Sequence, residues 1–529
     1  MRVLITDPLS AVSVDLLAAA GLQADLQLDC SPDELAAIAS GAHGWLIRSG
    51  TRITADLMDA APDLRVIGRA GVGVDNVDLE AATRRGILVL NAPDGNTIST
   101  AEHTCAMILA LARHVPEAHA SLRSGKWDRK RFAGAELAGK TLAVVGIGKI
   151  GRAVASRMQA FDMHILGFDP VLSIDTAERL GIELVDLEAI YARADFITVH
   201  TPLNEATRGL LNAETLARCK AGVRLVNCAR GGIIDEQALL AALESGHVAG
   251  AALDVFTEEP PGADLLPLLA HARVVVTPHI AASTEEAQEK VAVQVVEGVI
   301  DALAGRPVAT PVNAGAIRAA SQPEARPFIE LADRLGQLGA QITDGPVQRV
   351  VIRFSGETAR RYAEVLSVAA LRGLMSSFSD RPVNLINAPV LAHEAGLQVE
   401  EQRLSEPEDF TNLIALRLES PAGSREVKGT VLGEEDLRLV EVDGFRFEVR
   451  LEGHLLFYRN VDRPGMVAAV GALLAEHGIN IAGLALGRTG PGEMALSAFA
   501  VDDPIARDVL AQINDIAGVD DVRTAYVAG

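Results

Sequence analysis

Over roughly the first 310 positions, short apolar runs alternate with stretches in which apolar residues recur every three or four places. Residues 3–6, 44–48, 65–68 and 87–90 are aliphatic runs bounded by turn formers, the pattern of buried strands. Strands that alternate with helices predict a parallel sheet. Residues 97–115, rich in Ala, Leu and Met behind the possible caps Thr97 and Ser99, predict a long helix leaving that sheet. The alternation resumes with strands at 141–146, 164–168, 196–200, 224–227, 249–255 and 273–277, enough for a second, complete doubly wound sheet. An amphipathic helix over 283–304 would return the chain to the first unit. Beyond 311 the texture changes: a helix at 328–338, a strand at 347–354, a helix at 357–378, then period-two alternation at 413–418, 426–432, 437–442 and 445–451. Residues 455–529 read strand, helix, strand, strand, helix, strand, a ferredoxin-like βαββαβ unit.

The fifth strand of the series runs into Gly146, Gly148 and Gly151 in the sequence TLAVVGIGKIG. Strand, glycine-rich turn and helix in that order form a Rossmann dinucleotide site, where pyrophosphate meets the helix N-terminus. Asp169 follows at the end of the next strand; its carboxylate can accept from a ribose 2′-hydroxyl and repels a 2′-phosphate, which favours NAD over NADP. The expected fold is therefore α/β. An inserted Rossmann domain (99–283) interrupts a flavodoxin-like, discontinuous substrate domain (1–98 and 284–312). An α+β domain (313–452) and a ferredoxin-like βαββαβ domain (453–529) follow.

Composition narrows the partners. A net charge of −22 leaves no basic surplus for nucleic acid or anionic membranes. The four cysteines, Cys30, Cys105, Cys219 and Cys228, lack paired spacing, so neither a zinc cluster nor a disulfide framework is expected, and a reducing cytoplasm fits. The N-terminal residues read directly as a strand, without a signal core. No metal site is expected.

Three ionisable residues follow strands of the second sheet, where such folds place ligands. Arg230, in NCARGGIID, offers a guanidinium fork for a carboxylate. His279, in VVTPHI, can take a hydroxyl proton near neutral pH. Glu259, in DVFTEEP, can hold that imidazole in one tautomer, with Glu258 as the neighbouring decoy.

The glycine motif, Asp169, NCARGGIID, LDVFTEEP and TPHI, in this order and spacing, resemble the D-2-hydroxyacid dehydrogenases over residues 1 to about 310. The resemblance implies catalytic roles for Arg230, Glu259 and His279. It also implies NAD contacts at Val72, Gly146, Gly148, Lys149, Ile150, Gly151, Asp169, His200, Thr201, Pro202, Cys228, Ala229, Arg230, Asp254, His279, Ala281 and Ala282. Substrate would meet Arg48, Arg69, Gly71, Val72, Gly73, Arg230 and His279. One departure stands out: the family usually has Gly-Ala-Ser after His-Ile, whereas this chain has Ala281-Ala282-Ser283.

The tail, with YRNVDRPGM and HGIN, resembles an ACT domain, an amino-acid-sensing unit. Long family members with such a tail imply oxidation of 3-phospho-D-glycerate to 3-phosphohydroxypyruvate, the first step towards serine, in a homodimer or homotetramer. L-serine is then the expected effector, bound at a subunit interface by Asn460, Asp462 and Asn480. The basic stretch KWDRKR at 126–131 is either solvated surface or part of a phosphate pocket supplied from an adjoining subunit. Two alternatives stay open: an unphosphorylated hydroxyacid such as glycerate or hydroxypyruvate as substrate, and an NAD-sensing regulatory protein.

Overall fold

The computed structural model describes residues 1–306, 308–320, 322–379, 382–405 and 409–528, without the side chains of 316–318. The first sheet comprises β1 (Arg2–Ile5), β2 (Gln23–Leu26), β3 (Ala42–Ile47), β4 (Val66–Arg69) and β5 (Leu88–Asn91), all parallel, in the order β2-β1-β3-β4-β5. Strand β2 escapes the sequence pattern: the segment Gln-Ala-Asp-Leu has little apolar content, and none of its residues is fully buried. The helix Glu285–Leu303 does return to this sheet, burying Val291, Val295, Val296 and Val299 against Val3, Leu46 and Val66.

The second sheet joins β6 (Thr141–Val145), β7 (His164–Phe168), β8 (Glu183–Leu184), β9 (Phe196–Val199), β10 (Val223–Asn227), β11 (Val248–Leu253) and β12 (Val274–Val276). Its order is β12-β11-β10-β9-β6-β7-β8, so seven parallel strands replace the six expected. The added edge strand, β8, is only two residues long, too short for a periodicity to register. The helix expected over 97–115 is two helices, Thr97–Arg113 and Val115–Arg123, because His114 turns left-handed at φ 52° and ends the first. Thr97–Arg113 packs on β10, β11 and β12, placing Ala101, Cys105, Ile108 and Leu111 beside Val144, Val226, Ala252 and Val275.

A six-stranded mixed sheet follows, built between Arg349 and Arg450, with the Arg326–Ile342 and Ala363–Ser376 helices on it. The single helix expected over 357–378 is divided at Tyr362 into Glu357–Arg361 and Ala363–Ser376. The strand Gln398–Leu404 is not legible in the sequence: its only apolar residues are Val399 and Leu404, and it lies along an exposed edge.

The C-terminal unit is an antiparallel four-stranded sheet in which Gly453–Val461 lies between Met494–Val501 and Val519–Val527, with Ile481–Arg488 at one edge. Leu456, Tyr458 and Phe499 face its two helices, while Leu455, Phe457 and Leu496 pack on the preceding unit. Among the described residues, no helix is long and apolar enough to cross a membrane.

Candidate active site

The C-terminal ends of β4 and β10–β12 approach one another, and the residues they carry form the candidate site. The three glycines after β6 have three different reasons to be there. A Cβ on Gly146 would lie 2.6 Å from the His200 carbonyl oxygen and one on Gly151 would lie 2.1 Å from that of Gly146, while Gly148 faces open space. Gly148 heads the Lys149–Gln159 helix with no side-chain cap, so the first amides of that helix are free for an anion. Thr201 Oγ1, beside Gly146, is buried without a partner. An uncapped helix start, an open glycine and an orphan hydroxyl fit a dinucleotide pyrophosphate.

Asp169 is fixed where the ribose is expected: its carboxylate accepts from the Ile147, Val171 and Leu172 amides at 2.9, 2.9 and 3.1 Å. His200 is half-buried next to Thr198, and desolvation pushes its imidazole down to about 4, so it is neutral near pH 7. Lys149, expected on the cofactor, instead pairs with Asp94 after β5. Cys228 is buried, with its thiol raised to about 12 by burial, and it lies next to Asp254 and Thr104. It is an inert wall rather than a nucleophile. Pro202 is exposed, while Val72, Ile150, Ala229 and Ala282 are half-buried at the loop ends.

His279 and Glu259 meet as the sequence suggested, with Nδ1 2.6 Å from Oε2, while Glu259 Oε1 accepts the Phe256 amide at 3.0 Å. Burial raises the Glu259 carboxyl, but the hydrogen bonds from His279 and Phe256 outweigh it and hold the group below its ordinary value. An ionised Glu259 then accepts from Nδ1–H and leaves Nε2 as the base. Glu258 shows no contact with His279.

Asp254 departs from expectation. It is completely buried, and its oxygens accept from Thr277 Oγ1 at 2.5 Å and from the Ile280 and Ala281 amides, both at 2.9 Å. Burial raises its carboxyl, yet hydrogen bonds from His103, Thr277 and these amides together lower it. It therefore braces the 277–281 turn from behind. Ala281 is itself 5 % exposed in the core, so its extra methyl is accommodated by packing and does not project into the cleft. His103 and Thr277 belong to this bracing and were missed in the sequence, where a His in a helix and a Thr in a loop carry no distinguishing pattern.

Across the cleft, the glycine loop after β4 has an unexpected function. A Cβ on Gly71 would fall 1.5 Å from Arg69 Nη1, and one on Gly73 would fall 2.0 Å from Arg230 Nη2, so both glycines clear space for guanidinium groups. The Gly71 amide is spent on the Arg69 carbonyl at 2.9 Å and is not aimed at a ligand, contrary to expectation. Arg69 Nε is buried with no partner. Burial, then the neighbouring Arg230 and Arg48, push the Arg69 guanidinium down to about 10 against the opposing pull of Asp75 and Asp7, so it remains charged near pH 7. Arg230 Nε meets Asp75 Oδ2 at 3.2 Å, and the Arg48 loop is held by buried Asp7, which accepts the Arg48 and Thr51 amides at 2.5 and 3.1 Å. Like charges gathered around an unpaired guanidinium favour a polyanionic ligand.

The residues expected to bind an effector are not gathered within one chain. Asn460 is 1 % exposed and accepts from Ser497 Oγ at 3.1 Å, Asp462 pairs with Arg488 at 3.0 Å, and Asn480 donates to Asp502 at 2.7 Å. Val461 lies opposite Met494, whereas Ile481 lies opposite Val501, which also faces His454. Asp462 lies beside Glu493 and Asn480 beside Asp502, so the two occupy opposite ends of the sheet, nine strand positions apart, or roughly 30 Å at about 3.3 Å per residue. Trp127, in the basic stretch, is 77 % exposed. Among the described residues, no three His, Cys, Asp or Glu side chains gather as metal ligands.

Two parallel sheets, a dinucleotide loop on one and a His–Glu pair facing arginines define an NAD-dependent oxidoreductase of 2-hydroxyacids. Comparison with known proteins agrees: residues 105–281 match the D-isomer specific 2-hydroxyacid dehydrogenase NAD binding domain, 324–443 the D-3-phosphoglycerate dehydrogenase intervening domain, and 454–518 the ACT domain. D-3-phosphoglycerate dehydrogenase of Methanocaldococcus jannaschii is 41% identical over 523 residues, covering 99% of each chain; the human enzyme is 44% identical over 488 residues, covering 91% of each. The solved D-lactate dehydrogenase of Aquifex aeolicus, complexed with NAD and lactic acid, aligns with a TM-score of 0.51 at 28% identity, covering 57% of this chain and 96% of its own. The chain belongs to the D-3-phosphoglycerate dehydrogenase family, and its cofactor is NAD.

Proposed function

We propose that this chain oxidises 3-phospho-D-glycerate to 3-phosphohydroxypyruvate. The observation that carries this reading is the Arg69 guanidinium, half-buried under a glycine loop beside Arg48 and Arg230, with its buried Nε unpaired. A carboxylate alone would need one fork; three cations suit a carboxylate and a phosphate together. NAD, when bound, accepts the hydride from C2. His279 Nε2 takes the hydroxyl proton, and Glu259 steadies the imidazolium through Nδ1. Arg230 releases Asp75 and grips the substrate carboxylate, aligning C2. The decisive assay compares NAD reduction with 3-phospho-D-glycerate and with D-glycerate. Preference for the unphosphorylated acid would overturn the phosphate assignment, and no turnover with either, despite NAD binding, would favour a sensor.

The effector reading follows from the same chain but needs a second copy. Ile481–Arg488 is an edge strand, with Leu484 and Leu486 49% and 38% exposed. Antiparallel pairing of two such edges brings Asn480 of one chain towards Asp462 of the other and covers those leucines. An amino acid offers an ammonium for Asp462 and a carboxylate for Asn480, and L-serine, the end product of the proposed step, is the ligand we assign. Asn460, tied to Ser497, supports the loop. Exposed Trp127 points to a second contact between copies: a groove of about 440 Å³ beside His279, lined by Phe256, Pro260, Leu269 and Pro278, has the apolar character to receive it. The four free cysteines suit a reducing cytoplasm.

A further inference from the structure

The proposed chemistry gives His103 no part, yet its position couples two halves of the molecule. It lies on the Thr97–Arg113 helix, which begins after the first sheet and packs over the second. Its Nε2 stands 3.2 Å from Thr277 Oγ1 and 3.4 Å from Asp254 Oδ1. The hydroxyl of Thr277 has one proton, committed to Asp254 at 2.5 Å, so towards Thr277 the imidazole must donate. The order of donation is then His103 Nε2–H to Thr277 Oγ1–H to the Asp254 carboxylate, which also receives the Ile280 and Ala281 amides.

His279 sits inside the turn so held, at φ 52°. A left-handed backbone is strained for a residue with a Cβ, and something must hold it there. The Asp254 carboxylate, bonded on both sides of His279, does this, and its own orientation depends on Thr277 and His103.

We propose that His103 is a positioning residue for the oxidation step: its Nε2–H fixes Thr277 and Asp254, and through them the 277–281 turn that aims the His279 imidazole. It touches neither substrate nor cofactor. This inference rests on the reading of His279 as the base.

The test uses the full-length enzyme with His103→Leu, which removes the donor at similar volume, and His103→Gln, whose amide N–H can replace it. Misplacing a reacting group by about 1 Å can cost up to roughly 100-fold. Accordingly, His103→Leu is expected to lower kcat roughly 10- to 100-fold with the KM for NAD little changed, and His103→Gln to regain most of the loss. Emission of bound NADH, whose nicotinamide would lie against this turn, should shift in the Leu variant and return in the Gln variant. That readout does not depend on which hydroxyacid is oxidised, so wild-type inactivity towards 3-phospho-D-glycerate would sink the substrate reading alone. Wild-type kcat and emission in His103→Leu, or a Gln variant as impaired as Leu in both, would overturn the inference. Should His103→Leu fail to fold, His103→Asn, whose shorter amide falls short of Thr277, takes its place with the same expectations.

Discussion

The cleft and the C-terminal sheet both carry short, recognisable motifs, yet only the cleft brings its motif residues together within one chain. Arg230, Glu259 and His279 hang from the same ends of parallel strands, and a parallel sheet directs every strand to one side. In the C-terminal unit, Asp462 ends one strand and Asn480 opens the next, after a helix that carries the chain back to the starting end. Residues separated by one crossover therefore stand at opposite ends of the sheet. Proximity in sequence means proximity in space only when both residues leave their strands on the same side.

This difference predicts how each site fails. Replacing His279 by Ala removes a base already assembled within its own chain, so kcat should fall about 10²- to 10⁴-fold at any protein concentration. Steady-state rates across a dilution series would check it, and a variant near wild-type turnover would remove His279 from the role. Arg69→Leu comes next. A hydrogen bond to a charged group contributes about 1.5–3 kcal/mol, so kcat/KM for the phosphorylated substrate should drop roughly 10- to 150-fold while NAD affinity is retained. Equal losses with D-glycerate would show that Arg69 does not read the phosphate.

The C-terminal site should break more gently. Asn480→Ala is expected to weaken the serine response about tenfold, the low end for a hydrogen bond to a charged carboxylate because Asn480 is exposed. Sharper evidence comes from Leu486→Arg, which puts charge on the proposed pairing edge: serine sensitivity should vanish together with the larger species in sedimentation. Retained sensitivity in a strictly monomeric variant would place the effector within one chain and refute the two-copy arrangement.

The same contrast explains what the sequence could reveal. Burial on both faces makes β1, β3, β4 and the strands around Gly146 continuous apolar runs, and these were legible. Gln23–Leu26, Glu183–Leu184 and Gln398–Leu404 lie at sheet edges, where solvent removes the pattern. In the site, groups that face ligand sit in motif-rich loops and could be named. Groups that work from behind, such as His103, Thr277 and the braced Asp254, depend on contacts between residues 23 to 174 positions apart. The clearance that Gly71 and Gly73 leave for Arg69 and Arg230 likewise appears only when the loop is folded.

The bracing carboxylate gives the smallest expected effect and a signed dependence on pH. Hydrogen bonds hold the Asp254 carboxyl below its ordinary value of 3.8 despite burial. A carboxyl lowered in the folded state contributes stability that is present above the unfolded value and lost as pH falls through the folded one. Asp254→Asn cannot ionise, and it turns an amide N–H₂ towards the donors of Thr277, Ile280 or Ala281, at a cost of about 1–3 kcal/mol. In a domain of this size each kcal/mol moves Tm by about 2–4 °C. The melting temperature of the variant should therefore lie several degrees below wild type at pH 6 to 8, and the gap should narrow as pH drops below about 4, where the Asp254 carboxyl of the unfolded chain takes up its proton before that of the folded one. A gap that stays constant across this range would mean that Asp254 holds the His279 turn by shape rather than by charge.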